Sequence, residues 1–326
     1  PGMSPILQQQ QGTIPMDSIR TNFAAMTALQ SLQNTNKEML KTQSRISTGY
    51  RVASAEDNAS YWSIATTMRS DNKALSTVKD ALGLGSATVD VAYTALDKAI
   101  DVTSEIKVKL VAAREPGVDR EKIQGEIAEL QNQLQSIGES AIFSGQNWLS
   151  VDSSAAGYNS TKSIVASFSR DAAGEISIGT ISVNAEAIKL YDASSSAVGI
   201  IDGLRDNSGA IASSGTSVAA MDISALTDNA TDLETLEAYI KGVDMAVSEM
   251  TTAATNLGSV KQRIGIQKEF VNSLMQAIDR GISTLVDADM SEESTKLQAL
   301  QVQQQLGIQA MSIANSSTQN ILSLFR

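Results

Sequence analysis

The chain has 326 residues, a net charge of −11, and neither cysteine nor histidine. These absences exclude disulfides, a thiol nucleophile, a Cys/His zinc site and a Ser–His–Asp triad. The acidic balance argues against a nucleic-acid partner, because phosphate backbones select clustered Lys and Arg. No apolar run reaches the ~18–20 residues of a membrane span.

Carboxylate chemistry survives these exclusions, but the acidic residues are scattered among Lys and Arg along helical stretches. Charge in this pattern is typical of solvated helix faces. We therefore expect no catalytic residue, no metal site and no cofactor, and the chain is not predicted to be an enzyme. The sequence shows no basic segment followed by an apolar one, so no cleavable secretory signal is visible.

Residues 1–15 differ in composition from the rest, with a run of four glutamines and three of the four prolines. We interpret them as a cloning remnant or a disordered leader, outside the fold. The first predicted helix follows. Its inner stripe steps by four and three residues, as in coiled coils, and consists of Ala25, Leu29, Leu32, Asn36, Met39, Gln43 and Ile46.

A second helical segment carries a longer stripe with the same spacing, and its small members would let neighbouring helices approach closely. The turn Glu115-Pro116-Gly117 ends it, because proline cannot continue the helical hydrogen bonds. A shorter helix then resumes the spacing. The two stripes are Val78, Leu82, Gly85, Val89, Ala92, Leu96, Ala99, Thr103, Ile106 and Leu110, then Ile123, Ile127, Leu130, Leu134 and Ile137.

The third helical segment is the longest, and only Lys261 and Lys268 interrupt its apolar stripe. A stripe of this length imposes left-handed supercoiling on its partners. The stripe consists of Leu236, Ile240, Val243, Val247, Met250, Ala254, Leu257, Lys261, Ile264, Lys268, Val271, Met275, Ile278, Ile282 and Leu285.

After Asp289 a final helix carries apolar residues on more than one face. Such a helix requires burial on several sides, which identical copies of the chain would provide. These residues are Leu297, Leu300, Val302, Leu306, Ile308, Met311, Ile313, Ile321, Leu322, Leu324 and Phe325.

The middle of the chain, about residues 151–234, is rich in Ser, Gly, Ala, Thr and Asp. Residues 164–168 and 175–183 are predicted to form a β-hairpin around the turn at 171–174. Residues 192–217 are predicted to be loop. We expect this insert to form an outward-facing domain that mainly contacts water.

Several short blocks occur near the two ends of the chain: residues 18–22 (SIRTN), 44–58 (SRISTGYRVASAEDN), 61–71 (YWSIATTMRSD), 256–258 (NLG), 303–305 (QQQ), 314–315 (AN) and 319–326 (QNILSLFR). These blocks resemble bacterial flagellin, and residues 61–71 look like its alphaproteobacterial branch. The resemblance covers about 16–150 and 235–326, and the middle carries none of it.

The resemblance implies a mainly α fold: a long coiled-coil-like bundle of N- and C-terminal segments with a small β-containing central insert. Residues 16–50 and 286–326 would form the inner-tube helices, residues 51–150 and 235–285 the next helical layer, and residues 151–234 a variable surface insert. The expected polymerisation residues are Leu29, Leu32, Met39, Ile46, Leu297, Leu300, Leu306, Met311, Ile321, Leu322, Leu324 and Phe325.

By the same resemblance, the chain is expected to be the self-assembling subunit of an extracellular flagellar filament used for swimming. Its expected partners are identical copies, sibling flagellins, the export apparatus with its chaperone, the filament cap and the hook-junction proteins, with neither nucleic acid nor membrane. The principal alternative is a hook–filament junction protein, which shares the terminal helices. A soluble coiled-coil adaptor would not explain why both ends are apolar on several faces.

Two weaker patterns have simpler interpretations. Four Asn-x-Ser/Thr triplets occur, and chance explains them better than N-glycosylation, whereas O-linked sugar on the insert remains a hypothesis. The acidic group Asp287, Asp289, Glu292 and Glu293 would suit a cation. We interpret it instead as the start of a helix, with Ser291 as the cap and the acids complementing the helix dipole.

Overall fold

The computed structural model describes residues 22–171, 173–194 and 198–324, with the backbone alone for 317–324. Five α-helices account for most of these residues, joined by six short or medium strands. The elements are α1 (Phe23–Thr48), α2 (Ala59–Ala112), α3 (Arg120–Ser140), β1 (Ile142–Phe143), β2 (Gln146–Asn147), β3 (Ser150–Val151), β4 (Thr161–Arg170), β5 (Ile176–Asn184), β6 (Tyr191–Asp192), α4 (Ala230–Val286) and α5 (Met290–Leu324). The mainly α prediction is therefore confirmed.

Contacts divide the chain into two compact units. Of the described residues, the terminal unit comprises those up to Arg69 and from Arg280 onward, and it holds α1, α5 and the adjoining ends of α2 and α4. The central unit comprises Ser70–Asp279, and it holds α3, the strands and the remaining parts of α2 and α4. Within the described residues, no helix is both long enough and apolar enough to cross a membrane.

The core of the central unit follows the predicted stripes closely. All ten stripe residues of α2 are buried, and those of α3 are buried or half-buried. On α4 the stripe is correct at most positions but wrong at Lys261 and Lys268, which are exposed. The half-buried neighbours Val260 and Gln267 take their places facing the core. At each of the two lysines, the position that faces the core is therefore one residue earlier than the predicted stripe.

The start of each helix is fixed by a side chain that accepts a backbone N–H. Asn58 caps α2 by accepting from Tyr61 at 3.1 Å, and Asn229 caps α4 by accepting from Asp232 at 2.8 Å. Asn159 accepts from Thr161 in a turn before β4. Three of the four triplet asparagines therefore have a local structural role.

The predicted hairpin is confirmed. Strands β4 and β5 pair antiparallel from Thr161↔Asn184 to Arg170↔Ile176, with a bulge between Val165 and Ser167. The turn closes where Gly174, at φ 88°, donates its N–H to Asp171. Apart from the short strand Tyr191–Asp192, the described part of 192–217 is irregular, as predicted.

The middle of the chain also contributes to the core of the central unit. Eleven of its apolar residues are buried in one cluster with α2, α3 and α4, whereas others, such as Ile176 and Ile178, are exposed. A Cβ at Gly85 of α2 would collide with the Ile164 side chain of β4, so this small residue admits a strand rather than another helix. The buried residues are Ile164, Ala166, Ile181, Val183, Ile188, Leu190, Ile200, Ile201, Val218, Met221 and Ile223. The Ser/Gly-rich composition of this region did not indicate a core, because these apolar residues are widely spaced along the sequence.

Two buried arginines tie the loops of the middle to the helices. Arg120 donates to the carbonyls of Ala113 and Leu226 and pairs with Asp228 at 2.6 Å. Charge-assisted bonds of this kind are stronger than neutral ones, so the guanidinium holds the end of the irregular region against α3.

The second, Arg205, donates to the carbonyls of Ile200 and Gly209 and pairs with Glu249 of α4 at 2.6 Å. Its guanidinium therefore closes the 200–209 loop and attaches it to the helix at the same time.

Candidate assembly surface

In the terminal unit, the connection between α1 and α2 is hydrogen-bonded to the connection between α4 and α5. Helix α1 ends at Gly49, whose φ of 76° is left-handed and whose N–H bonds to Arg45. The backbone N–H groups of Arg51 and Val52 donate to the carbonyl of Val286 at the end of α4. The α1–α2 and α4–α5 connections are thus held side by side.

Two charged groups reinforce this junction. The Arg51 guanidinium donates to the carbonyl of Leu285 at 3.1 Å, where the negative end of the α4 dipole favours a cation. Partial burial opposes ionisation of Asp57, but backbone N–H bonds from Ser54 and Ala53 and the charge of Lys41 hold its pKa below the usual value. Asp57 therefore stays charged and closes the turn before α2.

The acidic group near residue 289 starts a helix, as interpreted, although the cap is a different residue. Asp289, not Ser291, accepts the N–H groups of Ser291 and Glu292, at 2.8 and 3.3 Å. Glu293 instead turns toward α1 and pairs with Arg45 at 2.9 Å. Among the described residues, no group of acidic side chains is arranged to hold a metal ion.

Helices α1 and α5 pack antiparallel along facing heptad rows, which we call the seam. Asn22 at the start of α1 donates to Ala314 near the end of α5, and Arg45 at the end of α1 meets Glu293 at the start of α5. The seam residues are Ala25, Ala28, Leu32, Thr35, Met39, Thr42 and Ile46 on α1, and Glu293, Leu297, Leu300, Gln304, Gly307, Met311 and Ala314 on α5.

Each of these two helices leaves apolar side chains outside the seam. On α5, Val302, Leu306 and Ile313 form a row four and seven residues apart, and at 100° per residue this row lies on the face opposite the seam, whereas the exposed Ile308 lies on another face. On α1, Met26, Leu29 and Leu40 lie to one side of the seam, and the exposed Phe23 lies apart from them. We call these the exposed rows: Met26, Leu29 and Leu40 on α1, and Val302, Leu306 and Ile313 on α5.

The structure therefore divides the expected polymerisation residues into groups. Six lie in the seam: Leu32, Met39, Ile46, Leu297, Leu300 and Met311. Leu29 and Leu306 lie in the exposed rows. Phe325 and the side chains of Ile321, Leu322 and Leu324 lie outside the described residues.

Sequence reasoning missed the polar half of the seam. It chose Leu29 and Gln43 on α1, whereas the seam uses their neighbours Ala28 and Thr42. An apolar search cannot find small or polar positions. The sequence did contain a signal for the seam of α5: the four-and-three spacing of its positions continues through Gln304 and Gly307 when polarity is ignored.

Comparison with known proteins places both ends of the chain in one family. The N-terminal helical region of bacterial flagellin matches residues 19–154, and the C-terminal helical region matches residues 240–325. Flagellin C of Rhizobium meliloti (strain 1021) is 51% identical over 323 residues, covering 95% of this chain and 100% of that protein.

Two further relatives show how the length of such proteins varies. Flagellin A of the same organism is 44% identical over 396 residues, and the flagellin of Brucella melitensis is 44% identical over 312 residues, each with 95% of this chain and 100% of the relative covered. Because 396 exceeds the 326 residues of this chain, Flagellin A carries residues without a counterpart here.

Proposed function

This chain belongs to the bacterial flagellin family, and from that premise we infer that it is a structural subunit that self-assembles into the extracellular filament of a bacterial flagellum. Flagellins polymerise with copies of themselves. Nothing in the matches favours the alternative of a hook–filament junction protein.

The observation that supports a specific mechanism is the pair of exposed rows. The seam uses one face of α1 and one face of α5, yet Leu306 and Ile313 on the opposite face of α5 are 57% and 69% exposed. Apolar rows left in water favour association, at about 25 cal/mol per Å² removed from water. We propose that neighbouring copies cover these rows, and that the seam residues act indirectly by holding the two helices together.

The remaining expectations fit this proposal. We propose residues 16–50 and 286–326 as the inner layer, residues 51–150 and 235–285 as the next layer, and an absence of catalysis throughout. We further propose export through the flagellar apparatus with a chaperone, and contacts with the filament cap and hook-junction proteins. Copolymerisation with sibling flagellins and O-linked modification of residues 151–234 also remain proposals.

The experiment replaces Leu306 with glutamine and uses Gln305→Ser, one position away on another face of α5, as the matched control. The free L306Q chain should fold normally, because the side chain is already mostly in water. Loss of about 2 kcal/mol of burial per subunit should raise the critical concentration for seeded growth by more than tenfold.

Growth of L306Q from native filament fragments at the concentration that suffices for Q305S would contradict the proposal. Circular dichroism of both free variants controls for folding. Elongation measured by light scattering and electron microscopy gives the two critical concentrations.

A further inference from the structure

Three cross-helix matches that the apolar residues do not require lie along the seam between α1 and α5, and two of them use Asn36 and Arg45, which flank the seam residues of α1. Asn36 accepts from Gln304 Nε2 at 2.7 Å, and Arg45 pairs with Glu293 at 2.9 Å. One turn beyond Asn36–Gln304, on the side away from Arg45–Glu293, Leu32 lies over Gly307, where an added Cβ would be 3.3 Å from Leu32 Cδ1. All three matches belong to one antiparallel register.

The apolar seam residues alone leave this register undecided. In the observed register Leu300 lies level with Met39. A shift of one heptad in either direction would place Leu300 level with Ile46 or with Leu32, both of which are also large and apolar. Because seven-residue shifts preserve a heptad seam, such residues pack acceptably in all three arrangements.

The Arg45–Glu293 pair, in contrast, fails in both shifted arrangements, whereas Gln304 would be level with another amide, Gln43, in one of them. A shift in one direction brings Glu293 level with Glu38 and Met39, so a buried carboxylate loses its cation and meets a like charge. A shift in the other direction carries Glu293 past the end of α1 at Thr48. Unpaired buried charges and amides are costly, and a polar seam position is a known way of specifying the register of paired helices.

We propose that Asn36–Gln304 and Arg45–Glu293 fix the register of the terminal helix pair and thereby align its two exposed rows. A slip of one heptad would displace the row of Val302, Leu306 and Ile313 by about 10 Å along the row of Met26, Leu29 and Leu40. A neighbouring copy could then no longer meet both rows at once. This last consequence rests on the proposed function, whereas the register itself does not.

The absence of cysteine allows the register to be read by cross-linking. Cysteines at Leu32 and Gly307 report the observed register, because the Leu32 Cβ lies 3.9 Å from a Cβ built at Gly307, within the ~3.5–4.5 Å of a disulfide. Leu32→Cys with Leu300→Cys, or with Ala314→Cys, reports a slip in each direction. In the observed register those pairs are offset by about 10 Å, beyond disulfide reach.

The three cysteine pairs are introduced into the otherwise unmodified chain and into N36L/Q304L, and oxidised mildly in the free state. We expect only the first pair to form a disulfide in the unmodified background. In N36L/Q304L at least one slip pair should also cross-link, and seeded growth of cysteine-free N36L/Q304L should fall at least tenfold. Slip pairs that stay reduced in N36L/Q304L would overturn the proposal.

A charge exchange gives a second test if N36L/Q304L fails to fold. R45E should allow slip and slow seeded growth, and R45E/E293R should restore both the native cross-link and growth. Failure of the double exchange to restore the native cross-link would overturn the assignment. Slip with undiminished growth would overturn the link to assembly, whereas failure of the proposed function would show as absent growth of the unmodified chain.

Discussion

The packing of the β4–β5 hairpin onto α2 leads to a sharp prediction, because the hairpin carries two isoleucines in opposite environments. Ile164 is 6% exposed and lies against Gly85, whereas Ile178 is 61% exposed. The same substitution, Ile→Ala, can therefore be compared at both sites. If the middle of the chain shares the core of the helices, only the first substitution should matter.

The magnitude follows from the burial. Removing three buried carbons at Ile164 should lower the free energy of unfolding by about 2–5 kcal/mol, including the cavity left above α2. At Ile178 the loss should stay within about 0.5 kcal/mol, as at other exposed sites. The larger loss is a substantial part of the 5–15 kcal/mol by which domains are usually stable.

Urea unfolding of the free chains, followed by circular dichroism at a helical wavelength, provides the measurement. The helical signal reports α2 and α4, so a shift caused by a substitution in a strand shows that strand and helices unfold together. Equal midpoints for I164A and I178A would refute a shared core.

Two further predictions concern buried polar groups of the central unit. Lys189 is 1% exposed and pairs with Asp192 at 2.7 Å, so Lys189→Met should cost about 3–5 kcal/mol in urea unfolding. Burial alone would raise the pKa of Asp192, but Lys189 and the N–H groups of Ser153 and Ser194 hold this pKa below its usual value. The pair therefore contributes stability at neutral pH that is lost as the pH falls through the acidic range. A K189M chain with an unchanged acid-unfolding profile would contradict this. The Thr103 hydroxyl is buried without a hydrogen-bond partner among the described residues, so Thr103→Val should raise the free energy of unfolding by about 1 kcal/mol, whereas a lower thermal midpoint would show that the hydroxyl is satisfied.

The central unit was largely predictable because its stripes are apolar and bury against the same chain. Ten of ten α2 positions are correct, and the errors on α4 occur at Lys261 and Lys268, where the pattern itself was already broken. The packing of the middle was not predictable. Its core residues come from a hairpin and from loops without a fixed period, and buried side chains such as Lys189 and Arg205 resemble surface residues in a composition count.

The terminal unit posed a different problem, because two patterns overlap on the same helices. One row on α5 meets α1, and another points away from it, so an apolar search mixes Leu300 of the seam with Leu306 of the exposed row. Under the proposed assembly both rows are buried in the filament and both are apolar for that reason. What separates them is polarity: the seam alone contains Gln304 and Glu293, each matched to a side chain of α1. In α1 and α5, the matched polar positions Gln304 and Glu293 therefore mark contacts within the chain, whereas the exposed apolar rows are the proposed contacts between copies.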